Sequence, residues 1–487
     1  MNEELLKLQP FKVWYFFKDI LSIPRPSKKE DKIVDYLIKF AKDRHLEVHK
    51  DDVGNVLIRK PATRGMESRK TVALQSHVDM VCEKNSDKIH DFEKDPIDTY
   101  IDNGWVKAKG TTLGADDGIG VAAALALLDA DDIPHGPIES LFTIDEETGL
   151  TGAFGLKPGF LKSTILLNLD SEDEGQLYIG CAGGQDTLAW LSYNKEEIPV
   201  NYKAVKIMIS GLTGGHSGDD INKGRANANK LLNRFLWKTK EQYDLKLSVF
   251  DGGNLRNAIA REAYAVILVP DNKYESFLKE VSKYEEIYKN EFHITEPELK
   301  FKYKDIEKPE NIISDKDFTL LTNALYACPH GVITMSQDIK DFVETSTNLA
   351  SVKFKDDKIV ITTSQRSSVE TEKDDVTNMV VSVFKLANAT TETTDGYPGW
   401  TPNPDSEIVD LTKNIYEKLF QNKPEVLAIH AGLECGLIGD KYPGMDMISF
   451  GPTIKGAHSP DERLEIKSVQ KFWDLLLAIL KDIPEEN

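Results

Sequence analysis

Cysteine is scarce. The four residues Cys82, Cys181, Cys328 and Cys435 are widely spaced and never form Cys-x-x-Cys, which excludes a disulfide framework and a thiolate zinc cluster and reads as small buried hydrophobes. Long apolar runs are missing too. The longest, residues 121–128 and 475–480, fall far short of the roughly 18 residues a membrane span needs, so no membrane insertion is expected. Basic residues are outnumbered, 60 Lys and Arg against 80 Asp and Glu. A net charge of −20, with no Lys/Arg stripe interleaved with aromatics to offset it, excludes nucleic acid as a partner. The first ten residues carry two glutamates and no basic stretch leading into an apolar one, so no secretory leader is expected and the cytoplasm is the expected location.

What remains is a globular composition, 40% apolar and 29% charged, in a chain of 487 residues that exceeds what one hydrophobic core supports. The first part alternates helical and strand-like stretches: an amphipathic segment at 31–44, apolar runs at 72–74, 141–144 and 165–169, and a helix at 119–128. The C-terminal part repeats the rhythm, with a helix near 408–420, a strand at 447–450 and a closing helix at 468–480. Such alternation predicts an α/β sheet flanked by helices. Between them the texture changes to alternating strands at 204–209 and 263–269 and a Lys/Glu-laden region at 272–308, which reads as an inserted α+β domain. The expected organisation is a host domain in two parts, 1–187 and 397–487, with an insertion at 188–396. Gly183-Gly184 and Asp395-Gly-Tyr-Pro-Gly399 are the expected hinges, because Gly and Pro turn the backbone.

Five positions have the character of metal ligands. Thr71-Val-Ala-Leu-Gln-Ser-His-Val-Asp-Met80 reads as a buried strand ending in His77 and Asp79, which at a spacing of two share a face; Asp79 can fix the tautomer of a metal-binding His77. In Thr112-Leu-Gly-Ala-Asp-Asp-Gly-Ile-Gly120 two carboxylates sit beside glycines at a helix entrance, and Asp116 is the candidate bridging ligand, although Asp there is also an ordinary helix cap. A strand at 140–144 runs into Glu146-Glu147, a pair in which one carboxylate can bind metal while its neighbour works as general base. Another strand delivers Asp170 to its end, and the loop Gly451-Pro-Thr-Ile-Lys-Gly-Ala-His-Ser-Pro-Asp-Glu462 supplies His458. Each feature alone has a bland structural reading. Together they fall where strands end, the crevice in which open α/β sheets bind ligands. Two histidines and three carboxylates, one shared, would give each of two zinc ions one nitrogen and two oxygens, a hydrolytic rather than a closed structural site.

These motifs resemble the aminoacyl-histidine (Xaa-His, β-alanyl-histidine) dipeptidases among the co-catalytic zinc exopeptidases. The similar stretches span the chain and include Ile23-Pro-Arg-Pro-Ser27, Gly214-Gly-His-Ser-Gly218, Gly224-Arg-Ala-Asn-Ala228, Asn257-Ala-Ile259, His430-Ala-Gly-Leu-Glu-Cys-Gly436 and Ala457-His-Ser-Pro-Asp-Glu462. The resemblance implies a dipeptidase preferring substrates such as β-Ala-His, with one zinc on His77, Asp116 and Asp170 and the other on Asp116, Glu147 and His458, cobalt or manganese being possible substitutes. It makes Glu146 the base for a metal-bridging water, Asp79 the orienter of His77, and the Asp116–Asp117 peptide cis. It also implies that the insertion is a lid whose His216 and Asn254 reach the substrate. Arg366 is the candidate clamp for a substrate carboxylate, because a guanidinium grips one bidentately. A departure is Ala260, where the family pattern leads one to expect proline. Such insertions mediate dimers, so a homodimer is expected, although one of about 200 residues is long enough to stand in for a partner's. The competing functions are a broader dipeptidase, an N-acyl amino acid deacylase, and a binding protein that kept the fold without the chemistry.

Overall fold

The computed structural model describes residues 2–355 and 357–486. The chain divides into two compact units: Met1–Gly180 with Pro402–Ala428 and Leu433–Asn487, and Cys181–Thr401 with Ile429–Gly432.

The first unit is built on an eight-stranded sheet whose centre is parallel, in the order Ile138–Thr143, Val72–His77, Ile165–Asn168, Asp446–Ser449. Val72–His77, Ile138–Thr143 and Ile165–Asn168 are buried along their whole length, as strands covered on both faces must be, and the polar residues they carry, such as Gln75 and Glu139, are hydrogen-bonded in the interior. Antiparallel strands Val56–Lys60 and Glu47–Lys50 extend one edge, and helix Ala115–Asp129, almost entirely buried, packs on the sheet with helix Phe11–Leu21 beside it. Helix Asp31–Asp43 buries Ile33, Val34, Leu37, Phe40 and Ala41, the i, i+3, i+4 spacing of an amphipathic helix.

The second unit carries an antiparallel nine-stranded sheet that includes Gly183–Ser192, Tyr202–Ser210, Ala263–Pro270, Val343–Lys355 and Lys358–Ser367. The Lys/Glu-laden region folds as helix Tyr274–Glu291, which turns Phe277, Val281 and Tyr288 inward, followed by edge strand Lys300–Asp305. Helices Ala228–Tyr243 and Asp315–Ala327 start at side-chain caps: Asn227 accepts from the amides of Asn229 and Lys230, and Ser314 from that of Asp317.

The division falls at 180/181 and 401/402 rather than at 187/188 and 396/397, and residues 429–432 return to the second unit. The expected hinges lie inside that unit and pair with each other: the Gly184 amide donates to the Tyr397 carbonyl (3.0 Å), and the Tyr397 amide to that of Gly184 (2.9 Å). Glycine is needed for close approach, since a Cβ on Gly183 would stand 2.5 Å from the Gly399 nitrogen and one on Gly184 2.7 Å from the Tyr397 ring. At the unit's ends Cys181 and Trp400 exchange both backbone hydrogen bonds, each 2.9 Å.

Candidate metal centre

Every expected ligand projects from beyond the carboxyl end of a central parallel strand or from a loop beside it. His77 closes Val72–His77 and is 1% exposed. Asp79 lies past the strand end, yet its Oδ1 is 3.3 Å from His77 Nδ1, so the loop, rather than strand alternation, brings the pair together. Asp79 also accepts from Ser27 Oγ (2.8 Å) and from the backbone amides of Glu146 (3.0 Å) and Glu147 (3.2 Å). Burial would raise its pKa, but these donors and His77 hold it down at about 2.

Asp116 occupies a non-helical kink (φ −79°, ψ 112°) where helix Ala115–Asp129 begins, and the Asp116–Asp117 peptide is cis. It does not cap the helix. Its two oxygens face different histidines: Oδ1 is 3.1 Å from His77 Nε2 and Oδ2 3.1 Å from His458 Nε2. Asp170 Oδ1 lies 3.4 Å from His77 Nε2, and Glu147 Oε2 3.0 Å from His458 Nε2. His458 itself sits at φ 62°, a left-handed conformation a non-glycine residue adopts at a cost.

Among the described residues four groups of donor atoms gather within 4.8 Å: His77–Glu146–Glu147, Glu30–Asp79–Asp145, and two that share Asp116, namely His77–Asp116–Asp170 and Asp116–Glu147–His458. This chemistry fits two divalent cations sharing one carboxylate: nitrogen and oxygen donors, no thiolate, and no lysine or arginine among them. The electrostatics agree. Hydrogen bonds with Asp116 and Glu147 push His458 up to about 11, and the surrounding carboxylates, Asp170 first, raise His77 despite its burial. Burial pushes Asp170 up to about 7, and burial of Asp116 is outweighed by His458 and His77, which pull it well below the carboxylate range. Glu146 is raised well above its ordinary value by burial, with Asp170, Glu434 and Glu147 adding to the rise. Its amide is fixed by Asp79, whereas its carboxylate makes no side-chain hydrogen bond among the described residues.

Three acidic groups around this cage carried no assigned role in the sequence reading. Glu172, two positions past Asp170, is pushed up to about 8 by burial and by Asp116 and Asp170; the spacing Asp-x-Glu was its only signal. Glu434 opens helix Glu434–Lys441, is 1% exposed, and accepts from Gln75 Nε2 and Thr143 Oγ1, both 2.6 Å. Glu462 closes the His458 loop with its carboxylate on backbone amides.

The remaining candidates lie in the second unit. His216 Nδ1 faces Asp219 Oδ2 at 3.2 Å. Arg366 is 7% exposed, gives Nη1 to Tyr397 Oη at 3.0 Å, leaves Nε without a partner and forms no ion pair among the described residues. Asn254 Oδ1 accepts from Lys353 Nζ (3.0 Å). The stretch lying against His216 is instead Asn257-Ala258: the Ser217 amide donates to the Asn257 carbonyl (2.8 Å) and His216 bridges Ala258. His430 Nε2 is 2.7 Å from Ser346 Oγ, and burial pushes its pKa down to about 3.

A two-compartment carboxylate–imidazole cage at the carboxyl ends of a parallel sheet defines a metallopeptidase class, and the chain belongs to peptidase family M20/M25/M40, whose family model matches residues 73–482. It is 47% identical over 481 residues, 99% of either chain, to the cytosol non-specific dipeptidase of Escherichia coli (strain K12). The crystal structure of aminoacylhistidine dipeptidase from Vibrio alginolyticus matches with a TM-score of 0.94 and 46% identity, covering 100% of this chain and 99% of that one. An aminopeptidase PepT from Bacillus cereus, 17% identical with a TM-score of 0.57 over 98% of this chain and 99% of its own, shares the fold. Among the described residues no helix is long and apolar enough to cross a membrane.

Proposed function

We propose that the chain is a two-metal dipeptidase that hydrolyses short peptides, Xaa-His dipeptides such as β-Ala-His among them. The observation that carries this reading is the split carboxylate of Asp116, one oxygen toward each histidine, in a chain 47% identical over its length to a dipeptidase. His77, Asp116 and Asp170 would hold one cation and Asp116, Glu147 and His458 the other, zinc being the metal best suited to this donor set. When bound, the pair supplies Lewis acidity, polarising the scissile carbonyl and acidifying water. Glu146 takes a proton from the attacking water and passes it to the departing amine, work for which a carboxyl raised by burial is suited. Asp79 Oδ1, 3.3 Å from His77 Nδ1, is placed to draw the ring proton to Nδ1 when Nε2 turns its lone pair to a cation. The amides of Gly218 and Asp219 donate to His216 Nδ1 (3.3 Å each), which leaves the ring proton on Nε2 to donate to the carbonyl oxygen that becomes negative.

Arg366 grips the substrate's C-terminal carboxylate: a buried guanidinium with an unpartnered Nε and no ion pair among the described residues is an anion site in waiting. Arg366→Met should raise KM for dipeptides about 10–100-fold, the worth of a charge-assisted pair, and change hydrolysis of C-terminal amides little. Equal losses on both substrates would exclude the clamp.

The name of the Escherichia coli relative favours a broad range and that of the Vibrio structure a histidine preference. A panel of β-Ala-His, Gly-His, Ala-Ala and N-acetyl amino acids decides between them. Cleavage of both histidine-ending and plain dipeptides is expected, and preference for an acylated N-terminus would make the chain a deacylase instead. A cytosolic location and a homodimeric assembly complete the proposal, the first supported by the relative's name; light scattering tests the second.

A further inference from the structure

We infer that Arg25 and Glu462 are positioning residues that grip the Asp116 loop from its two polar edges and so set the shared carboxylate for both cations. The inference rests on reading Asp116 as a cation ligand, and it gives a role to Arg25 of Ile23-Pro-Arg-Pro-Ser27 and to Glu462 of Ala457-His-Ser-Pro-Asp-Glu462, which the proposed chemistry does not use.

A shared carboxylate must place each oxygen to within a few tenths of an ångström, because metal–oxygen bonds near 2 Å tolerate little error. Asp116 is poorly placed to do this unaided: it sits in a kink, and the first amides of a helix have no intrahelical acceptor. Glu462 supplies that acceptor. Its Oε2 takes the amides of Leu113 (2.7 Å) and Gly114 (2.9 Å), and its Oε1 those of Ala115 (2.7 Å) and Asp116 (3.4 Å). From the carbonyl side, Arg25 Nη2 donates to Gly114 (2.5 Å). A cation therefore holds the loop's carbonyl edge while an anion holds its amide edge, both side chains being only 2–3% exposed.

Each anchor also reaches a second ligand segment. Glu462 belongs to the loop that carries His458, and Arg25 Nη1 donates to the carbonyls of Val78 (2.9 Å) and Asp79 (2.6 Å), directly after His77. Three ligand-bearing segments far apart in sequence are thus tied through two charged side chains. The space for Arg25 is kept open by glycine: a Cβ on Gly114, at φ +70°, would lie 2.5 Å from Nη2, and one on Gly118 2.6 Å.

The test is cation affinity of the folded, metal-stripped full chain, by zinc competition with a chromophoric chelator, alongside its thermal midpoint. Arg25→Lys and Glu462→Gln should each weaken zinc binding about 10–100-fold, the usual effect of removing a partner that orients a ligand. Glu139→Gln is the control. Glu139 is equally buried (2% exposed) and accepts from Arg59 Nε (2.8 Å) and the amides of Lys162 and Ser163, but it sits at the amino end of the central strands, away from the ligands at their carboxyl ends; it should lower the midpoint and leave affinity unchanged. Should Glu462→Gln fail to fold, Glu462→Asp, a carboxylate one methylene shorter, must still weaken binding. Wild-type affinity in the Arg25 and Glu462 variants, or an equal loss in the control, overturns the inference. Asp116→Asn separates the underlying reading: if it too binds zinc as wild type does, the ligand assignment is what has failed.

Discussion

Glu146→Ala is expected to bind its cations as the wild type does and to lose about three orders of magnitude in kcat, the usual worth of a positioned general acid–base. The separation follows from geometry. Glu147, not Glu146, shares a donor set with Asp116 and His458, and the Glu146 carboxylate has no side-chain hydrogen-bond partner to lose among the described residues. Both amides at the turn are held by Asp79, so removing one side chain leaves the other in place. His458→Ala should do the reverse and lose metal along with activity. Metal content by mass spectrometry beside kcat on β-Ala-His distinguishes the cases, and equal metal loss in both variants would refute the division of labour.

Cation affinity should rise steeply with pH, by about a hundredfold between pH 6 and 8 for a compartment that expels one proton. The sign follows from His458, whose pKa stands at about 11 through Asp116 and Glu147, and from His77, raised by Asp170 and Asp116. The His458 imidazole carries its proton across this range until a cation displaces it, the rise at His77 acts in the same direction, and coordination requires the neutral ring. Lower pH therefore favours the protonated cage and higher pH the metal-loaded one. Chelator competition at several pH values gives the slope, and calorimetry in buffers of different ionisation enthalpy counts the protons. Affinity independent of pH would show that the rings are not held as imidazolium.

The parts of this molecule that could be read in advance are those whose sequence pattern reports directly on position. Each central parallel strand holds a short apolar run, and polar residues shortly past such a run lie toward the sheet's carboxyl edge; that logic points to the positions of His77, Glu146, Glu147 and Asp170. Arg25 and Glu462 obey no such rule. Their partners are backbone groups up to 349 positions away, and a main-chain amide has no letter in the sequence. Gly183 and Gly184 misled for a related reason: glycine marks a turn and a close approach alike, and here it marks the approach of Gly399 and Tyr397. The neighbours of Asn254 and His216 are equally silent in the sequence: Asn254 accepts from Lys353, while Asn257 and Ala258 run beside His216.

The mutual hydrogen bonds of Cys181 and Trp400 bear on how the polypeptide assembles. The sheet of the first unit is discontinuous, since Asp446–Ser449 must find Ile165–Asn168 across a long detour. Once the excursion has folded and its entrance and exit are zipped together, the detour is short-circuited, and the entropy of closing so large a loop has already been spent inside the insert. Where the insert folds first, its joined ends shorten its host's search instead of lengthening it, as a splint does for a broken rod.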